Sequence, residues 1–152
     1  MLIMENHDAA LDEDKPGLIL KSLEQAARIL DDILGALDSV SRIGVSRLML
    51  GSIFSYPRGI EEKMKYKNAA MGLRTVKELM DVVRKNQELL EDLVTGDGEF
   101  FERLLKILNA DYDGMIVILL QYKGARSIGL RIKDVFEDLI YVASKIKQAP
   151  EK

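Results

Sequence analysis

The sequence predicts an all-α fold, a single bundle of about five to seven helices. Apolar residues recur at three- and four-residue steps over most of the chain, and clusters of Gly, Pro, Asn and Asp separate the longer periodic stretches. The composition, 47% apolar and 31% charged, is that of a globular domain. A chain of 152 residues fits one domain that buries roughly 70% of the surface its unfolded form exposes.

Residues 1–15 read as a mobile acidic tail, with Asp12, Glu13 and Asp14 just ahead of the first periodic segment; residues 16–148 form the helical domain. Pro16 suits a first helical turn, where its missing N–H has no partner to lose. Leu20, Leu23, Ala27, Leu30, Ile33, Leu34, Leu37 and Val40 then trace one face of an amphipathic helix of about seven turns. From Val40 to Tyr56 the pattern still reads as helix, short or kinked at Gly44 and Gly51, and Pro57 and Gly59 end it.

A second long helical pattern runs from Ile60 to Val94, divided at Asn86, and Thr95-Gly96-Asp97-Gly98 stops it with a glycine suited to a left-handed C-cap. Glu99–Asn109 is a short helix with Phe100, Phe101, Leu104, Leu105 and Leu108 inward. Asp111 and Asp113 supply the N-cap region of the next, Met115–Tyr122. The last helix spans Ser127–Gln148. The stretch MIVILLQYKGARSIGLRI, residues 115–132, also carries a β-hairpin signal, because it is β-branched and alternates around Lys123-Gly124.

Several function classes are excluded or disfavoured. There is no Cys, hence no disulfide, thiolate metal site or cysteine nucleophile. The N-terminus lacks the basic and long apolar regions of a signal peptide, and the longest apolar run is far short of a membrane span; a cytoplasmic protein is expected. His7 is the single histidine and falls in the tail. No HExxH, P-loop, GxSxG or EF-hand pattern occurs. Glu24 with Asp31-Asp32, and Asp111 with Asp113, read as a solvated helix face and a cap. No catalytic residue, metal site or cofactor is expected.

Charge is segregated along the chain. The net charge is -3, yet residues 42–85 hold ten Lys and Arg against four acids, a local net charge of +6. Arg42, Arg47, Arg58, Lys63, Lys65, Lys67, Arg74 and Lys77 are therefore the candidate nucleic-acid contacts: backbone affinity needs cations that displace counterions from phosphates, and no motif. Tyr56 and Tyr66 lie among them as candidate stacking groups. Arg126, Arg131 and Lys133 form a smaller second cluster. Acidic and basic blocks also allow copies to associate head to tail. Two other readings stay open: a protein–protein adaptor, and a helix-turn-helix regulator around Ser46–Lys67, whose proline and glycines fit that motif's spacing poorly.

The segment SRIGVSRLMLGSIFSYPRGIEEKMKYKNAAMGLRTVKEL, residues 41–79, is similar to the small subunit of archaeal type I-A CRISPR effector (Cascade) complexes. The likeness extends over about residues 17–147 and rests on size, helical pattern and the basic middle segment. It implies a non-catalytic protein that packs against copies of itself and other effector subunits and helps hold target DNA in a crRNA-guided antiviral assembly. On that reading Arg42, Arg47, Arg58, Lys63, Lys65 and Lys67 contact phosphate, an assignment made on their charge.

Overall fold

The computed structural model describes residues 15–50 and 55–149, with side chains described for 15–41 and 59–149. Six helices make up the described chain: α1 (Lys15–Leu50), α2 (Ser55–Lys85), α3 (Gln87–Leu93), α4 (Gly98–Leu108), α5 (Tyr112–Leu119) and α6 (Ala125–Gln148). The all-α bundle is as expected. All but Lys15 of the tail read over residues 1–15 lies outside the described residues.

The frame is three long helices. α1 packs along both α2 and α6, α4 lies on α6, and α5 lies on α2. Neighbours run antiparallel. Gly72 meets Ile33, and Lys65 reaches Ser39, along the α1–α2 seam; Lys147 pairs with Glu24 along α1–α6. The core is continuous through Leu23, Leu30 and Leu37 of α1, Leu73, Val76 and Val83 of α2, Phe100 and Leu104 of α4, Leu119 of α5, and Ile132 and Leu139 of α6, all buried. Complete burial of such side chains stabilises by about 1.5–3 kcal/mol each before chain entropy is counted.

The periodicity of α1 locates its inward face with one shift: Ile19 and Ala26 join the buried row, while Leu20 and Leu34 flank it half-buried. The helix does not end near Val40. It continues to Leu50 through Gly44, because one interior glycine costs only about 1 kcal/mol, too little to stop a helix already nucleated over seven turns. The expected stop at Pro57 is also corrected. α2 begins at Ser55 and carries Pro57 in its first turn, where no hydrogen bond is forfeited.

Asn86 does divide the second pattern: its side-chain amide donates to the Val82 carbonyl across 2.8 Å, between the end of α2 and the start of α3. Gly96 takes the left-handed φ of 77° required after α3. Asp97 then caps α4 by accepting from the Phe100 N–H at 3.0 Å. Arg103 latches α4 to α6, pairing with Glu99 and Asp138 and lying 4.4 Å from the centre of the Tyr141 ring.

No strand occurs among the described residues, so the hairpin over 115–132 does not form. Tyr112, Met115, Ile116 and Leu119 are buried at helical spacing. In the connection, Tyr122 and Gly124 take positive φ while Lys123 does not. A type I′ hairpin turn would need two left-handed residues in succession.

Candidate nucleic-acid interface

Among the described residues of the basic block, some cations are directed to partners within the fold and others stay exposed. The side chains of Arg42, Arg47 and Arg58, and of Tyr56, lie outside those described. Lys65 turns towards α1, where its ammonium donates to the Ser39 hydroxyl at 2.6 Å. Lys77 donates to both oxygens of Asp113 at 3.0 and 2.8 Å, and this bond raises its pKa above the ordinary lysine value. Arg84 is spent on the Leu108 carbonyl and on Asn109. Lys63, Lys67 and Arg74 remain exposed, and their spacing of four and then seven residues keeps them on one side of α2.

Lys63 has a neighbour that the chain order hides. Its ammonium stands 5.4 Å from the centre of the Tyr122 ring, which meets Tyr66 edge-on with ring centres 6.3 Å apart. Tyr122 is 39% exposed and holds φ 57°, a left-handed conformation that bulky side chains rarely adopt and that costs roughly 1–2 kcal/mol. The same turn presents exposed Lys123 and leads into exposed Arg126 at the start of α6. The connection after α5 therefore brings an aromatic ring to Lys63 of α2, with an exposed cation beside that ring in sequence and another at the start of α6.

The start of α6 adds to this corner. Gly124 occupies its N-cap and offers no side-chain cap, so the positive end of a 24-residue helix meets the surface beside Arg126. Tyr66 comes up beneath it. The Ala125 N–H donates towards the Tyr66 hydroxyl, whose pKa is nevertheless raised, chiefly by burial and secondarily by Glu62. Tyr66, Arg126, Ser127 and Glu62 line an open depression of about 560 Å³ with Val40 and Leu130. Glu62 is the one acid among its lining residues.

Tyr66, expected as a stacking group, is buried at 7% exposure and cannot receive a base. Tyr122, whose ring meets that of Tyr66, is the exposed one of the pair. The sequence signal for it was the Tyr-Lys-Gly run between two apolar helical patterns, which also fits a hairpin turn. Of the second cluster, Arg126 joins the corner, Lys133 follows two turns along the same side of α6, and Arg131 falls on another side.

The described residues contain no group of His, Asp and Glu placed to hold a metal ion, and no described helix is long and apolar enough to cross a membrane. No protein-family model matches the chain, and neither curated proteins nor solved structures give a significant match.

Proposed function

We propose that this chain is a non-catalytic, cytoplasmic subunit of a nucleoprotein assembly and holds a nucleic-acid backbone without sequence preference. One observation carries the reading: the turn after α5 sets the exposed Tyr122 ring beside Lys63 of α2, with Lys123 exposed in that turn and Arg126 exposed just beyond it. Lys63, Lys67, Lys123 and Arg126 neutralise phosphates, and Tyr122 stacks on an unpaired base, a sequence-tolerant contact. The resemblance to small subunits of type I-A CRISPR effectors supplies the setting: guided target DNA as the polyanion, neighbouring effector subunits and further copies of the chain as protein partners.

The test is fluorescence anisotropy with labelled single- and double-stranded oligonucleotides across a salt series. Four phosphate contacts on a single strand give a log–log slope of about -3, an affinity loss of roughly 50-fold between about 50 and 200 mM salt. The K63E/R126E double variant removes binding and keeps the helical circular dichroism. If the wild type leaves oligonucleotides free at the lowest salt, the proposal fails and the protein adaptor becomes the better account.

A further inference from the structure

The depression of about 560 Å³ at the start of α6 has the size of a small-ligand site, roughly 300–1,000 Å³, and its lining is chemically mixed. Val40 and Leu130 form an apolar wall, and Leu130 is 62% exposed. Arg126 is exposed and forms no ion pair among the described residues. The first hydrogen bond of α6 runs from the Ile128 N–H to the Gly124 carbonyl at 2.8 Å, so three earlier amides have no acceptor within the helix. The Ala125 N–H donates towards the Tyr66 hydroxyl. Those of Arg126 and Ser127 find no acceptor among the described residues. Tyr66 points to a ligand on separate grounds. Its side chain is buried at 7% exposure and lines the depression, yet its O–H proton has no acceptor among the described residues. Buried donors of this kind take a partner, and this one stands at the first turn of α6.

We infer that this depression seats one nucleotide, its phosphate at the first turn of α6 and its base against Val40 and Leu130. The class of occupant rests on the nucleic-acid reading, and the lining narrows it. One phosphate answers the Arg126 and Ser127 amides, the Arg126 guanidinium and the Tyr66 O–H together. Bare phosphate would leave the apolar wall uncovered and would meet Glu62 as a like charge. A nucleotide covers the wall with its base, and an exocyclic amino group or a sugar hydroxyl donates to the Glu62 carboxylate. Tyr122 adjoins the seat, its ring centre 6.3 Å from that of Tyr66, where the next base of a strand can stack. The smaller depression, beside Lys77 and Arg84, has its cations already bonded to Asp113, the Leu108 carbonyl and Asn109. On the outer stripe of α2, exposed Met64 and Met71 are interleaved with Lys67 and Arg74 and bordered by Glu61 and Glu78. Neither charge nor apolar continuity selects an occupant there.

The test is amide and methyl NMR of the full chain, titrated with deoxycytidine 5′-monophosphate, deoxycytidine or inorganic phosphate. With the nucleotide, the Arg126 and Ser127 amide signals and the Leu130 methyl signals shift together and saturate. Deoxycytidine and inorganic phosphate each bind at least about tenfold more weakly. Tyr66→Phe, which keeps the ring, and Leu130→Glu, at an exposed position, each weaken the nucleotide about tenfold and keep the helical circular dichroism. Three results overturn the inference: Arg126 and Ser127 amides that stay still, inorganic phosphate binding as tightly as the nucleotide, or both variants folded and binding like the wild type. Oligonucleotide bound by anisotropy while these signals stay in place removes the inference and leaves the nucleic-acid reading standing. Nucleotide seated here with oligonucleotides free at the lowest salt does the reverse.

Discussion

The Tyr112 hydroxyl donates to the Ile107 carbonyl across 2.5 Å, stapling the first turn of α5 to the last turn of α4 inside the bundle. Burial pushes this phenol well above its ordinary pKa of 10.0, against the weaker opposing pull of Arg84. A raised folded-state pKa means that the stabilisation is complete below the unfolded value and is lost as pH climbs past it. Urea denaturation should therefore show stability falling above about pH 10. Tyr112→Phe should cost about 1 kcal/mol near neutrality and flatten part of that alkaline decline. Tyr66 and Tyr141, both shifted upward mainly by burial, account for the slope that persists.

Asp111 caps α5 by accepting from the Gly114 N–H at 3.0 Å, and a Cβ on Gly114 would fall 2.1 Å from the Asp111 carboxylate. Gly114→Ala should displace the cap and cost about 1 kcal/mol, as Asp111→Ala does. With Asp111 already removed, the same Gly114→Ala change should stabilise, by up to about 1 kcal/mol of helix propensity. A double-mutant cycle by thermal or urea unfolding measures this reversal of sign.

Gly72 lets α1 and α2 approach: a Cβ there would meet Ile33 Cδ1 at 2.9 Å and Ile29 Cγ2 at 3.2 Å. Gly72→Val should force the two longest helices apart and cost about 1–3 kcal/mol by overpacking. Gly35, on α1 with open space around it, is the control. Gly35→Ala should be neutral or stabilise by up to about 1 kcal/mol in the same unfolding assay.

Tyr122 holds a backbone conformation that glycine would adopt freely. Tyr122→Gly should leave the melting temperature unchanged or raise it, since relief of roughly 1–2 kcal/mol of strain offsets the lost ring contacts. The same variant should lower single-strand affinity by about 1–3 kcal/mol, the worth of one stacked base. Differential scanning calorimetry and anisotropy on the same preparation read the two effects together.

Most of the helices were legible because apolar spacing is a local property. Leu23, Leu30 and Leu37 name the buried face of α1 whatever it packs against, and Asp111 marks a helix start through its own side chain. Helix ends were harder to read. Gly44 and Pro57 are both breakers, but the outcome depends on how much helix precedes the one and on the first-turn position of the other. The site was the least legible part. Lys65 and Lys77 are basic on paper, yet each is directed to a partner, Ser39 or Asp113, that only the helix packing supplies. Tyr122 stands beside Lys63 through a meeting of chain segments nearly sixty residues apart.

Among the methionines with described side chains, Met80 and Met115 are shielded while Met64 and Met71 stand in solvent. In a protein without cysteine, these two are the thioethers that peroxide reaches first among the four described. Each sulfoxide formed there would place a polar, chiral oxygen on the surface and leave the interior untouched. Mild oxidant should thus convert Met64 and Met71 before it lowers the melting temperature, and methionine sulfoxide reductase should reverse the change, both read by mass spectrometry beside calorimetry.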